Sequence, residues 1–356
     1  MQTSIPLFAP YIPYKVKSEV EDTLNSRWVG QGPKVDLFEK RFASKFNQKY
    51  CVSLNSGSAA LETAYELIGI KPGDEVIATP LTCTATNIPL LRMGAKIIWT
   101  DIKADNLCLD RADVLRKITP KTKAIVNVHL GGIDNDLGKM PVPVVSDACQ
   151  ALGVFNGDYT CNSFQAIKHI TTGDGGMLTC PNEESYRTAK LTRWFGIDRE
   201  KKIANNWQAY KERSMTFDIE VMGYKRQMTD IAAAMGIAGL KYYDYVLEHR
   251  EKIFNLYKEK LAKVSGIKFV DGKVNTWWLC TVLVEKRDEF AKMLFENGVD
   301  TNLVQIRNDL FTIFGGKRVE LPVMDAVEGK YICLPLNMET TEENVEFICD
   351  LIKKGW

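Results

Sequence analysis

Histidine is scarce in this chain: there are three in 356 residues, at positions 129, 169 and 249. A site built from several histidines around one metal ion is therefore not expected. Paired cysteines are missing too. The nine cysteines, at 51, 83, 108, 149, 161, 180, 280, 333 and 349, are odd in number and contain no CxxC. That argues against a disulfide framework or a zinc site, and for a reducing cytosol. Excess charge of one sign is also absent. Lys and Arg number 46 and Asp and Glu 45, a net +1, so neither nucleic acid nor an anionic membrane is the expected partner. No apolar run reaches membrane-spanning length, and the opening "MQTSIPLFAP" lacks the basic and apolar regions of a signal peptide. The expectation is a soluble, cytoplasmic protein.

What is present is a rhythm of short elements. Val16, Val20 and Leu24 recur at helical spacing, and "RWVGQGP" then interrupts as a loop. From about residue 50, "YCVSL" reads as a strand, "NSGSAALETAYELIGI" as a turn into an amphipathic helix, and "KPGDEVIATP" as a turn into the next strand. "AKIIWTDI", "KAIVNVHL" and "PVPVVSDA" are further short apolar runs. Strands alternating with helices imply crossover units and a mostly parallel sheet. A long helical stretch with several aromatic residues is expected from about Thr229 to Leu261. After "VSGIKF" the pattern becomes strand-rich, then helical in "RDEFAKMLFENG", and ends in "ICLPLNMETTEENVEFICDLIKK". The length suits a large α/β domain over residues 1–245 and a smaller α+β domain over 246–356.

Three segments carry side chains with chemistry to offer. "NSGSAAL" leaves a strand, turns on Gly57 and opens a helix at Ser58. The free N–H groups and the helix dipole there suit a phosphate, although taken alone the segment reads first as Ser58 capping the helix. "VVSDACQALG" puts Asp147 at a strand end, where open α/β sheets bind ligands, with Gln150 three residues on. Asp147 can hold a cation or a protonated ring nitrogen there, or cap a following helix. "SFQAIKHITTGDGGM" sets Lys168 between an apolar run and glycines, with Ser163 five residues earlier. A desolvated lysine has a lowered pKa and becomes a nucleophile toward an aldehyde, whereas an isolated lysine before a turn is ordinarily a surface residue. The glycines let backbone approach a bulky ligand. His169 is expected to face away from Lys168 and to act as a packing neighbour.

Taken in order, "NSGSAAL", "SDACQALG", "SFQAIKHITTGDGGM" and "MGYKRQMTDIAAAMGIAGL" resemble the DegT/DnrJ/EryC1/StrS family of sugar aminotransferases, from about "IPLFAPYI" to "YICLPLN". The resemblance implies a fold-type I chain: a large domain with a mostly parallel central sheet flanked by helices, and a smaller C-terminal α+β domain. It implies pyridoxal 5'-phosphate as cofactor, with Lys168 as its Schiff-base lysine and Asp147 paired with the pyridine nitrogen. Gln150 would lie beside the ring and its 3-hydroxyl, and Gly57, Ser58 and Ser163 would bind the phosphate. Two departures stand out. Where relatives carry an aromatic that stacks on the ring, this chain has Cys83, which offers less area. Where relatives have "NYR", this chain has "KRQ". Lys225 thus stands at the position that reaches the phosphate of the neighbouring subunit's cofactor in a homodimer with shared sites.

The activity implied is transfer of an amino group from L-glutamate, through pyridoxamine 5'-phosphate, to a nucleotide-linked keto-sugar, at C4 of a 4-keto-6-deoxyhexose. Trp28 in its loop, Lys225 and "NNWQAYKER" are candidate sugar-nucleotide contacts. Two rivals share the scaffold. A sugar 3-dehydratase replaces the Schiff-base lysine with histidine, but here the aligned residue is Lys168 and the histidine follows it. The other rival is a non-catalytic regulatory protein that only binds the cofactor.

Overall fold

The structure is a computed structural model and describes residues 4–199 and 218–356. Helices α1 (Lys15–Ser26) and α2 (Pro33–Lys45) precede β1 (Cys51–Leu54), α3 (Gly57–Ile68), β2 (Glu75–Ala78), α4 (Thr84–Arg92) and β3 (Lys96–Trp99). Then come α5 (Arg111–Lys117), β4 (Thr122–Val128), β5 (Val144–Asp147), β6 (Tyr159–Ser163), β7 (Gly176–Thr179) and α6 (Glu183–Thr192). The later described elements are α7 (Asp230–Leu240), α8 (Tyr243–Leu261), β8 (Ile267–Phe269) and β9 (Cys280–Val284). Helix α9 (Arg287–Glu296), α10 (Pro322–Val327), β10 (Tyr331–Leu334) and α11 (Glu342–Lys353) follow.

Strands β1 to β7 form one sheet in the order β1-β7-β6-β5-β4-β2-β3. Neighbours from β6 to β3 pair in parallel, and β7 alone runs antiparallel, to both β1 and β6. The carboxyl ends of β1, β2, β4, β5 and β6 therefore lie along one edge. Helices cover both faces, so the strands read as continuous apolar runs rather than alternating ones. On one face Ala60, Leu61, Ala64 and Tyr65 of α3 pack against Val52, Val126, Val145 and Leu178. On the other, Phe38 and Phe42 of α2 meet Phe164, Met177 and Ile237.

Two helical expectations gain detail. Helix α1 forms as expected, yet its buried residues are Val16 and Thr23, while Leu24 is exposed. The helical stretch expected from Thr229 to Leu261 is helical but divides at Lys241–Tyr242 into α7 and α8, both residues bonding three positions back, to Ala238 and Gly239. The alanines and glycines of α7 serve packing within the chain. A Cβ on Gly236 would stand 2.7 Å from the Phe38 ring, which is how α7 reaches α2. Asp230, at the start of α7, also caps α2. Its carboxylate accepts the N–H groups of Gly32, Lys34 and Val35 at 2.8, 3.0 and 3.0 Å, the foreign equivalent of an N-cap.

The outer side of β1 is closed by side chains. Glu39 accepts the Ser53 N–H at 2.8 Å and its hydroxyl at 2.7 Å. Arg193 pairs with Glu39 and donates to the Ser53 carbonyl at 3.2 Å. Beyond Ser53, Asn55 N–H bonds the Arg226 carbonyl at 2.7 Å.

A second sheet, β10-β9-β8, is antiparallel. Its core joins Val282 and Ile332 to Phe290, Val345, Ile348 and the later residues of α8, Ile253, Phe254 and Tyr257. Ile5 pairs with Val299, so the amino-terminal segment lies on this unit. The domain boundary after residue 245 is a proposal. It falls inside α8, whose Tyr243 packs with the first unit. Among the described residues no helix is long and apolar enough to cross a membrane.

Candidate active site

The site is assembled along the carboxyl edge of the large sheet. Where β1 ends, Ser56 is extended and its hydroxyl accepts the Ala59 N–H at 3.0 Å. Ser56, not Ser58, is therefore the cap of α3. Extended backbone at Ser56 already provides the cap geometry, and Ser58 falls in the first helical turn. Ala60 N–H bonds the Ser56 carbonyl at 3.1 Å, which leaves the N–H groups of Gly57 and Ser58 over. Ser58 is exposed. Ser163, at the end of β6, lies beside them: a Cβ on Gly57 would stand 2.8 Å from Ser163 Cβ and 2.8 Å from Cys149 Sγ. Ser163 Oγ accepts from Gln165 N–H at 3.3 Å and keeps its own hydrogen to donate. Two N–H groups and two hydroxyls at a helix N-terminus form an anion cradle.

One of the glycines after Lys168 is required by the protein's own backbone. A Cβ on Gly176 would lie 2.2 Å from the Ser56 carbonyl oxygen and 2.8 Å from Gly57 N. The close approach is thus to the cradle's own backbone, which β7 supports from beneath.

Asp147 ends β5 and is buried. Its Oδ2 accepts the Thr86 hydroxyl at 2.7 Å and its Oδ1 the Cys149 N–H at 3.1 Å. No helix follows β5, so the reading of Asp147 as a helix cap gives way to an acceptor in a tight turn. Thr86 in turn bonds Thr82 at 2.9 Å. Gln150, also buried, accepts the Gly131 N–H through Oε1 at 2.8 Å, leaving its NH2 as the free donor.

Lys168 lies in the turn between β6 and β7, half-buried, its N–H bonded to the Gln165 carbonyl at 2.9 Å. Its Nζ is 3.6 Å from the ring centre of Trp278. Burial pushes the amine down to about 8, against the opposing pull of Cys149, Asp147 and Cys83. An amine with a pKa near 8 is substantially neutral, hence nucleophilic, in mildly alkaline water. His169 turns into the core. The residue is 2% exposed, Nε2 donates to the Thr276 carbonyl at 2.6 Å, and burial lowers the imidazole pKa to about 3. It is a neutral packing residue. Cys83 is exposed just ahead of α4 and makes no capping bond.

Two candidates are not brought to Lys168 within one chain. Trp28, 56% exposed, sits in the loop that Asp230 anchors. The Lys225 carbonyl accepts from Asn55 Nδ2 at 3.5 Å, so its backbone borders the cradle while its side chain is exposed. "NNWQAYKER" lies outside the described residues. Thr86, Trp278 and Arg250 escaped the sequence reading. Only for Thr86 is there a signal, since it stands three residues after Cys83.

A lysine amine, an anchored carboxylate and an anion cradle thus share one sheet edge, and similar proteins have the same arrangement of chain. The UDP-4-amino-4-deoxy-L-arabinose–oxoglutarate aminotransferase of Shewanella sediminis is 31% identical over 98% of this chain and 92% of its own. AtS13 of Actinomadura melliaura, a solved structure, superposes with a TM-score of 0.92 at 31% identity, covering 100% of both chains. Spr1654 of Streptococcus pneumoniae, solved in a PLP form, matches with a TM-score of 0.88 at 28% identity over 99% of this chain and 98% of its own. Residues 11–353 match the profile of one family throughout, and the chain belongs to it: the DegT/DnrJ/EryC1/StrS aminotransferase family.

Proposed function

We propose that this aminotransferase moves an amino group from L-glutamate to a nucleotide-linked keto-sugar, with C4 of a 4-keto-6-deoxyhexose as the receiving carbon. The observation that carries the reading is the half-buried Lys168 amine beside Asp147 and the Gly57–Ser58–Ser163 cradle. Pyridoxal 5'-phosphate, when bound, supplies an aldehyde that carries the amino group and a ring that takes up an electron pair. The donor set fits it: free N–H groups and hydroxyls for a phosphate, a carboxylate for a ring nitrogen, an amine for an aldehyde. Gly57, Ser58 and Ser163 hold the phosphate, and Asp147 keeps a proton on the ring nitrogen. The free NH2 of Gln150 would be the donor for the ring hydroxyl, and Cys83 would stand in place of the aromatic that relatives stack on the ring. Lys168 tethers the cofactor and, once released, moves a proton at Nζ.

The working unit in this reading is a homodimer. Lys225 reaches the partner's phosphate as a point charge, and Trp28 contributes to the sugar-nucleotide side. Support comes from Met222 and Tyr224 beside Lys225, 83% and 51% exposed, apolar surface of the kind a second copy covers.

The test begins with glutamate alone. The yellow loaded protein should bleach and release 2-oxoglutarate, and a 4-keto sugar nucleotide should then gain nitrogen at C4 by NMR. No spectral change with glutamate would sink the donor, an amine at C3 the position, and a monomer in sedimentation the shared site.

Thr86 supplies a finer prediction. Thr86→Val keeps the shape and removes the hydroxyl that Asp147 accepts. A hydrogen bond to a charged group is worth about 1.5–3 kcal/mol, so kcat should fall roughly ten- to a hundredfold with the circular dichroism unchanged. An unaltered kcat would take Thr86 out of the site.

A further inference from the structure

One tryptophan is fixed from several sides. Trp278 is 2% exposed, and its indole N–H donates to the Ile167 carbonyl at 3.0 Å, one residue before Lys168. Phe8 stacks on the same indole with 5.8 Å between ring centres. Trp277, the residue before it, has φ +48°, a left-handed backbone that a bulky residue adopts only when its surroundings impose it. Those surroundings are plain. Asn275 Oδ1 accepts the Trp277 N–H at 2.7 Å. Arg250 of α8 donates to the carbonyls of Trp277, Trp278 and Leu336 at 3.3, 3.1 and 2.9 Å. On the opposite flank the turn rests against Gly132, where a Cβ would stand 2.8 Å from Trp278 N and 2.9 Å from Trp277 N.

Arg250 is itself a costly residue. It is 3% exposed, its Nε has no partner, and among the described residues it pairs with no carboxylate. Burying a guanidinium against carbonyls alone is unfavourable unless it fixes something. What it fixes is the backbone that aims the Trp278 ring at Lys168.

We propose that Trp278 is the positioning residue of Lys168: its ring face holds the ammonium whenever no carbonyl carbon holds the amine, and Arg250 and Asn275 fix that ring in place. The proposal rests on the reading of Lys168 as the cofactor's lysine. Indole is the strongest aromatic face for a cation, and Nζ makes no ion pair among the described residues, so the ring is its direct contact. The charged and titratable groups around it are Asp147 and Cys149 at the end of β5, Cys83 ahead of α4, Arg250 on α8, and His169 next in the chain. Burial, to which Trp278 contributes, lowers the amine's pKa, while the ring's π face raises it. A substitution that removes the face but keeps the bulk separates the two.

The experiment uses cofactor-free protein, reductively methylated with 13C-formaldehyde and titrated by NMR. The Lys168 signal is identified by its loss in Lys168→Arg. Trp278→Leu, apolar but without a π face, should lower the Lys168 pKa by about one unit, and Trp278→Phe by less. Biosynthetic 5-fluorotryptophan keeps every shape while drawing electron density from the ring. It should lower the pKa by about 0.3 unit, and it removes the risk that a variant fails to fold. An unchanged or raised pKa in both Trp278→Leu and the fluorinated protein overturns the proposal, for the ring then only keeps water away. In parallel, wild-type protein is mixed with pyridoxal phosphate, trapped with borohydride and peptide-mapped. A Lys168 that is never trapped sinks the functional reading while leaving the titration to decide about Trp278. A trapped Lys168 with a flat titration sinks this proposal alone.

Discussion

Lys168→Ala is expected to fold normally and to lose several orders of magnitude in turnover. The side chain is half-buried and its Nζ lies against the Trp278 face with no hydrogen bond or ion pair among the described residues, so truncation leaves no described partner without a hydrogen bond. On the proposed reading its loss removes both the covalent tether and the proton carrier, and effects of that kind are not compensated by the remaining groups. A thermal midpoint within a few degrees of the wild type would accompany the loss. The wild type should also show a pH signature. Below about 8 the amine is protonated and cannot attack an aldehyde, and above it the amine is neutral. The rate at which cofactor-free protein takes up pyridoxal phosphate should therefore climb through about pH 8 and level off above it. Near-normal transamination by the purified variant would remove Lys168 from its role, and a rate still climbing at pH 10 would mean the amine is not desolvated.

Asp147→Asn should be nearly as damaging to catalysis and much milder to binding. The amide oxygen can still accept the Cys149 N–H, now accepted by Oδ1 at 3.1 Å. The amide NH2 would face Thr86, whose hydroxyl can turn its hydrogen toward Thr82, since either oxygen of that 2.9 Å pair can be the donor. Shape and hydrogen bonds thus survive, and only the charge goes. A neutral amide cannot hold a proton on a ring nitrogen. Loss of one fixed electrostatic partner typically costs about a hundred- to a thousandfold in rate, and cofactor affinity should change by less than that. Stopped-flow kinetics with glutamate and a cofactor titration separate the two. If the rate is unaltered, Asp147 is no more than the residue that closes its turn.

The strands of the large sheet and the lysine segment could be read from the sequence because each is a local signal. A β-branched run between turn residues is a strand wherever it pairs, and "SFQAIKHITTGDGGM" in its order among the other motifs carries the family. Other features depend on neighbours that sequence does not display. "SGS" offers two serines at the start of α3, and only the extended backbone of Ser56 makes it the cap. The break after Leu240 has no proline to announce it. Arg250 sits in "EHREK", which reads as a solvated helix face, yet it is buried under the second unit's carbonyls. Trp278 lies 111 residues beyond the Ile167 carbonyl that its indole binds, and no spacing rule connects them.

The closure of β1 bears on how copies of this chain can meet. An open strand edge invites another chain to add its own strand, the route to runaway association. At Ser53 both outward-facing backbone groups are already engaged by Glu39 and Arg193, and at Asn55 the segment carrying Arg226 takes over. The opposite edge, β3, begins with the exposed Lys96, a residue type that discourages strand addition. Strand addition at Ser53 and Asn55 is thereby blocked. Any second copy meeting this side of the sheet has to be recognised by side chains, which favours a contact of fixed composition over one that propagates.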